Sequence, residues 1–137
     1  MKTYLDTSAL VKLVVQEHES TALRKYLRAH RNDTLFTAAL ARTELVRAVA
    51  GAGPAATALA RRLLTDLDTV NLTRGLLDSA ADLPPIRLRT LDAIHLAAAL
   101  RAADGLRAVI TYDSRMAAAA AAAGIPVHAP GSAEEDM

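Results

Sequence analysis

Two short apolar runs, KTYLD at residues 2–6 and LRAVITYD at residues 106–113, each end in an aspartate and each lead directly into a helix-forming stretch. No other feature constrains the fold more. Strands that hand over to helices and then recur are the pattern of an α/β protein, in which a parallel sheet is covered by helices on both faces. Further strand candidates are TLFTA at 34–38, TVNL at 69–72 and IPVHA at 125–129. Helical spacing runs over 7–30, where Leu10, Leu13 and Val14 share a face, and over 40–51, ahead of the Gly53-Pro54 break. It recurs over 56–67, over 73–83 up to Pro84-Pro85, over 90–104 with Thr90 as N-cap and Gly105 just past the end, and over 114–124. The expected architecture is three layers, α/β/α, with a mostly parallel sheet. One domain over residues 1–128 and a polar, acidic tail over 129–137 complete the expectation.

A chain of 137 residues can bury roughly two thirds of its unfolded surface, and 52% hydrophobic residues exclude a disordered chain. No cysteine is present, so disulfide frameworks, thiolate metal sites and cysteine nucleophiles are excluded, which fits a reducing cytoplasm. The apolar N-terminal run is interrupted by Asp6 and Lys12 and is too short and too charged for a signal peptide or a membrane span. Aromatic residues make up 3%, leaving little base stacking for a nucleic-acid partner. The net charge is +1, yet 13 of the 16 basic residues are arginine, the side chain suited to bidentate phosphate contacts.

Four acids stand out against apolar surroundings: Asp6, Glu44, Asp92 and Asp113. Asp6 and Asp113 end strands, and in a parallel sheet the ligand crevice lies at the carboxyl ends of the strands. Asp92 opens the helix in LRTLDAIHLAAAL, and Glu44 lies early in the helix that follows residues 34–38. Each has an ordinary reading as well. Asp6 before Thr7-Ser8 and Asp113 before Ser114 also fit as helix caps, Asp92 also suits the positive end of a helix dipole, and Glu44 also fits a surface helix. Brought together, four carboxylates would repel unless a cation neutralised them. Oxygen ligands without cysteine or a histidine cluster point to Mg²⁺ or Mn²⁺, and Mg²⁺ shares its shell with phosphate.

The segments YLDTSALVKL, TELVRAV, RTLDAIHLAAAL and VITYDSRMAAAAAAAGIPV resemble, in order and spacing, the PIN-domain ribonucleases, and among them the VapC toxins of bacterial toxin–antitoxin pairs. The resemblance spans residues 2–127. It implies a PIN-like fold and an Mg²⁺- or Mn²⁺-dependent endoribonuclease that leaves 5′-phosphate and 3′-hydroxyl ends. By matching position, Asp6 and Asp92 would be the main metal ligands, Glu44 would bind or orient a water, and Asp113 would complete the site. Two residues from Asp6 and Asp113, the hydroxyls of Ser8 and Thr111 are expected to orient those carboxylates, their other reading being ordinary turn and strand hydroxyls, and Arg115 is either a substrate-phosphate contact or a solvated arginine at a helix start. His95, three residues after Asp92, is expected in a packing position. The resemblance also implies a small antitoxin lying across the site, a homodimer or a heterotetramer with that antitoxin, and a bacterial cytoplasmic location.

Competing readings fare less well. A haloacid-dehalogenase-like phosphatase needs a second aspartate where Ser8 stands, and a receiver domain needs paired acids after the first strand. Flap nucleases usually need a larger chain. The strongest alternative is a PIN fold used as an RNA-binding or assembly module without nuclease activity, against which the four retained acids argue.

Overall fold

The computed structural model describes residues 1–133. Among these residues five strands form one sheet: β1 (Lys2–Leu5), β2 (Thr34–Ala38), β3 (Asp68–Val70), β4 (Leu106–Ile110) and β5 (Val127–His128). Their order is β3-β2-β1-β4-β5, and every neighbouring pair is parallel. The expected mostly parallel sheet is thus wholly parallel among the described residues. From β1 the chain winds outward through β2 to β3 and then returns to the other side of β1 as β4. The switch point therefore falls between β1 and β4, where such sheets open their crevice.

Among the described residues seven α-helices cover the sheet: α1 (Thr7–Val14), α2 (Ser20–Ala29), α3 (Ala41–Val49), α4 (Pro54–Asp66), α5 (Arg74–Ala81), α6 (Thr90–Leu100) and α7 (Ser114–Ala122). Strand alternation divides the core. Leu5, Ala108 and Ile110 face Leu10, Leu23, Leu45 and Leu64 of α1 to α4. On the opposite face Tyr4, Phe36 and Val109 meet Leu96 and Met116 of α6 and α7. A smaller cluster, Leu76 and Ala80 with Ile94 and Ala97, seats α5 on α6. Buried on both sides, α6 carries its apolar residues almost all round, which is why its sequence lacks a clear amphipathic stripe.

Several expected boundaries are corrected. The helical stretch 7–30 is two helices, because the chain turns extended at Val15 and the Glu17 N–H is taken by the Ser20 hydroxyl at 2.9 Å. The helix from Thr90 stops at Leu100, and a 3₁₀ turn, Ala103–Gly105, joins it to β4. Thr90 is the first helical residue, and the capping position is Arg89, which makes no side-chain cap. Past residue 128 the expected polar tail is in part packed. Pro130 is buried, and its carbonyl accepts the Tyr112 hydroxyl at 2.7 Å. At Gly131, φ is +85° and a Cβ would lie 2.8 Å from that of Ala22, so only glycine fits. Residues 134–137, the rest of that tail, lie outside the described residues.

At the amino-terminal end of the central strands Asp33, its side chain 4% exposed, accepts from Arg107, from the Thr3 hydroxyl at 3.2 Å and sits 3.5 Å from the N-terminal ammonium. The Arg107 guanidinium holds its carboxyl down at about 2, against the burial that opposes it. Because the folded value lies below the unfolded one, this contribution to stability is present above pH 4 and is lost as pH falls towards 2. In thermal melts between pH 4 and pH 2, Asp33→Asn is expected to lose less stability than wild type. Equal losses would mean that the Arg107 pair contributes nothing.

Candidate active site

Asp6 leaves β1 at the switch point, only 5% exposed. It caps α1 by accepting the Ala9 N–H on Oδ1 at 3.0 Å, and Oδ1 also accepts the Ser8 hydroxyl at 2.6 Å. Oδ2 accepts the Thr111 hydroxyl from the end of β4. Burial pushes this carboxyl above its ordinary range despite those three donors. Ser8 Oγ in turn accepts the Tyr112 N–H at 2.9 Å, and Thr111 Oγ1 accepts the Asp113 N–H at 3.1 Å. Two hydroxyls thereby stitch the ends of β1 and β4 together around one buried carboxylate. Thr111 orients Asp6 through its side chain and touches Asp113 only at the backbone, which corrects the expectation that each hydroxyl serves its nearest acid. Ser8→Ala is expected to lower any metal-dependent cleavage about 10-fold through a loosened Asp6 carboxylate. A wild-type rate would leave Ser8 with only its bond to Tyr112.

Asp113 caps α7, accepting the Arg115 N–H at 2.8 Å and the Met116 N–H at 3.4 Å. Asp92 lies in the first turn of α6, with its side chain 15% exposed. Arg89 spans the two acids, donating from Nε to Asp92 Oδ2 at 2.9 Å and from Nη2 to Asp113 Oδ2 at 2.5 Å. The bond to Asp92, with the charges of both acids, raises the guanidinium further. A cation therefore already sits between these carboxylates, as their mutual repulsion demands. The capping and dipole readings of Asp6, Asp113 and Asp92 hold alongside this arrangement, because the same carboxylate that faces the crevice also closes a helix end.

Glu44 enters from the first turn of α3. Its Oε1 accepts the Thr7 hydroxyl at 2.6 Å and lies 2.7 Å from His95 Nε2. Burial raises its carboxyl, but the bonds from His95 and Thr7 outweigh that and hold it below the ordinary range. His95 is packed in the core as expected, edge-on against Tyr4, and both its ring nitrogens are also engaged, Nδ1 with Tyr4 Oη at 2.5 Å and Nε2 with Glu44. It does not contact Asp92 by hydrogen bond among the described residues. Arg115 is exposed at the start of α7, beside Asp113.

Sequence reasoning missed Arg89, Thr7 and the role of His95. The signals were present: Arg89 stands three residues before Asp92, Thr7 follows Asp6, and a histidine in a helix apolar on every side must find partners for two ring nitrogens. Among the described residues no three acidic or histidine side chains already converge on one point as a closed metal cage. The links are instead serial: Thr111 joins the Asp6 carboxylate to the backbone N–H of Asp113, Arg89 joins the Asp113 and Asp92 carboxylates, and Glu44 is held separately by Thr7 and His95.

The geometry thus defines an α/β protein with acidic side chains gathered at the carboxyl end of a parallel sheet, beside its switch point. Residues 3–122 match the model of the PIN domain. Ribonuclease VapC46 of Mycobacterium tuberculosis is 48% identical over 127 residues, covering 93% of this chain and 96% of that protein. Ribonuclease VapC47 of the same species is 42% identical over 132 residues, covering 94% and 97%. Among solved structures, Mycobacterium tuberculosis VapC20, described as a Sarcin-Ricin loop cleaving toxin, superposes with a TM-score of 0.66 at 21% identity, covering 90% of this chain and 95% of that one. A toxin–antitoxin complex from Klebsiella pneumoniae gives 0.67 at 21% identity, covering 93% and 97%. The chain belongs to the PIN-domain family, in its VapC group. No helix among the described residues is long and apolar enough to cross a membrane.

Proposed function

We propose that the chain is the toxin of a VapBC-like pair, an endoribonuclease that hydrolyses RNA phosphodiesters with Mg²⁺ or Mn²⁺ and leaves 5′-phosphate and 3′-hydroxyl ends. The observation that carries this reading is the bridge of Arg89 between Asp92 and Asp113, one hydroxyl away from the buried Asp6. It marks a place at the carboxyl end of the sheet where carboxylates from α6 and from the β4–α7 turn are close enough to share a positive charge. The donor atoms of Asp6, Glu44, Asp92 and Asp113 are all oxygen, the set a hard divalent cation prefers. Asp6 and Asp92 are the residues that would hold it, with Asp113 completing the set. When bound, the ion supplies charge that polarises a phosphoryl oxygen and lowers the pKa of water.

The rest of the work belongs to the chain. Ser8 and Thr111 fix both oxygens of Asp6, so its carboxylate does not reorganise when substrate arrives. Glu44, held ionised, accepts a proton or a hydrogen bond from the attacking water. Arg115, exposed at the mouth, meets the substrate phosphate. The partner that fits this reading is a small antitoxin lying across the crevice, and the assembly is a homodimer or a heterotetramer with it in a bacterial cytoplasm. One structural neighbour being a toxin–antitoxin complex supports that partner.

The test is cleavage of total bacterial RNA by purified, antitoxin-free protein, in Mn²⁺ or Mg²⁺ against EDTA, with Asp92→Asn beside wild type. Cutting that requires both the ion and Asp92 is expected. A folded wild type that cuts nothing in either ion sinks the nuclease reading and favours an RNA-binding or assembly module.

A further inference from the structure

We propose that His95 is the positioning residue for Glu44, at the end of a buried chain that runs from Tyr4 on β1 through the imidazole to one oxygen of the carboxylate. The inference rests on the reading of Glu44 as a member of the active site and deepens it. The His95 side chain is 4% exposed, and the other buried residues of its helix are alanine, leucine and isoleucine, so an apolar residue would pack there without needing polar partners. Its polar atoms are instead matched on both sides. Nδ1 lies 2.5 Å from Tyr4 Oη, and Nε2 lies 2.7 Å from Glu44 Oε1 and 3.4 Å from Thr7 Oγ1.

The proton order follows from the chemistry of the partners. An ionised carboxylate has only lone pairs to offer, so in the neutral imidazole the Nε2 carries the hydrogen and Nδ1 is the acceptor. Tyr4, fully buried, then donates its hydroxyl to Nδ1. Tyr4 is seated edge-on against Phe36 and edge-on against the imidazole, with ring centroids 5.1 and 5.8 Å away. The ring plane of His95 is therefore set from the core of the sheet, and the core in turn sets the direction of the Nε2–H.

The two donors that reach Glu44 both fall on Oε1. Oε2 has no hydrogen-bond partner among the described residues and is not buried. That division is what a positioning contact requires: one oxygen anchored to the protein by two donors, the other directed to whatever the site binds. A histidine serving only the core would not need to reach the carboxylate.

The experiment compares wild type, His95→Leu, His95→Gln, Tyr4→Phe and the Tyr4→Phe/His95→Leu double variant. Cleavage is followed on an RNA oligonucleotide carrying a site cut in the total-RNA assay, and Mn²⁺ affinity is read separately from the Mn²⁺-induced rise in Tm. His95→Leu is expected to lower kcat about 10- to 100-fold with KM nearly unchanged and to weaken Mn²⁺ about 10-fold, the range for losing an orienting contact. His95→Gln keeps a donor towards Glu44 and recovers most of the rate. Tyr4→Phe lowers kcat by roughly 3- to 10-fold, as a contact one step further removed. The double variant is no slower than His95→Leu, because Tyr4 acts only through the imidazole.

A folded His95→Leu with wild-type kcat and Mn²⁺ affinity overturns the inference while leaving the nuclease reading intact. Should His95→Leu fail to fold, Tyr4→Phe decides, since it removes one hydroxyl, and an unchanged kcat there overturns the inference equally. A wild type without Mn²⁺-dependent cutting overturns the reading of the site and this inference with it.

Discussion

Asp6→Asn is expected to abolish RNA cleavage while leaving the metal-free protein as stable as wild type or slightly more so. The carboxylate is nearly fully buried, and burial pushes it towards its neutral form. A group whose folded value is raised favours the folded state while it is protonated and costs stability once pH rises above that value. In the metal-free protein, ionising Asp6 is thus a local cost, and asparagine is a neutral replacement of the same shape. Its oxygen can keep the Ser8 and Ala9 donors, and its amide can donate to Thr111 Oγ1, whose hydroxyl then turns towards Ser8 Oγ, 3.4 Å away. What the amide cannot replace is the negative charge. Losing several kcal/mol of transition-state stabilisation corresponds to a rate loss of about 10³-fold or more.

The same substitution is expected to erase the response of Tm to Mn²⁺. For wild type, an ion at 100 times its Kd adds about 2.7 kcal/mol, or roughly 10 °C for a domain of this size. Differential scanning calorimetry with and without Mn²⁺ checks both halves. An Asp6→Asn protein that melts many degrees lower without metal would mean that the carboxylate is structural. One that keeps the Mn²⁺ response would remove Asp6 from the ligand set.

The acids at the strand ends are legible in sequence because the interruption of an apolar run by a charge is itself a one-dimensional signal. Asp6 and Asp113 fall at strand ends, and the parallel sheet that follows from strand–helix alternation places those ends side by side. Asp92 and Glu44 are legible more weakly, as acids near helix starts. Ser8, two residues after Asp6, is legible as its partner, whereas partners brought in from distant elements are not. Arg89 looks like any arginine before a helix, and only the fold brings the β4–α7 turn within reach of its guanidinium. The contact between His95 and Glu44 joins residues 51 positions apart, and no local spacing announces it. Helix boundaries are hard to read for a different reason. Residues 7–30 keep helical spacing across the break because the break is made by a side-chain bond from Ser20, not by a glycine or proline.

Leu96→Ala is expected to lower stability by about 3 kcal/mol, a fall in Tm of roughly 10 °C. Leu96 is fully buried in the cluster that holds Tyr4, Phe36, Val109 and Met116, where the sheet, α6 and α7 meet and truncation leaves a cavity. Leu91, on the same helix but 51% exposed, serves as the control, and Leu91→Ala is expected to change stability by less than about 0.5 kcal/mol. The contrast has a functional side. Helix α6 carries both Asp92 and His95, and it is held in place by packing more than by capping, since Arg89 contributes no cap bond. A cavity at Leu96 lies beside His95 in sequence and one turn beyond Asp92. It is therefore expected to lower cleavage even at temperatures where the variant remains folded, whereas Leu91→Ala leaves the rate near wild type. Equal melting temperatures for the two variants in denaturation experiments would mean that α6 is not seated by its buried face. The precise placement of Asp92 would then need another cause.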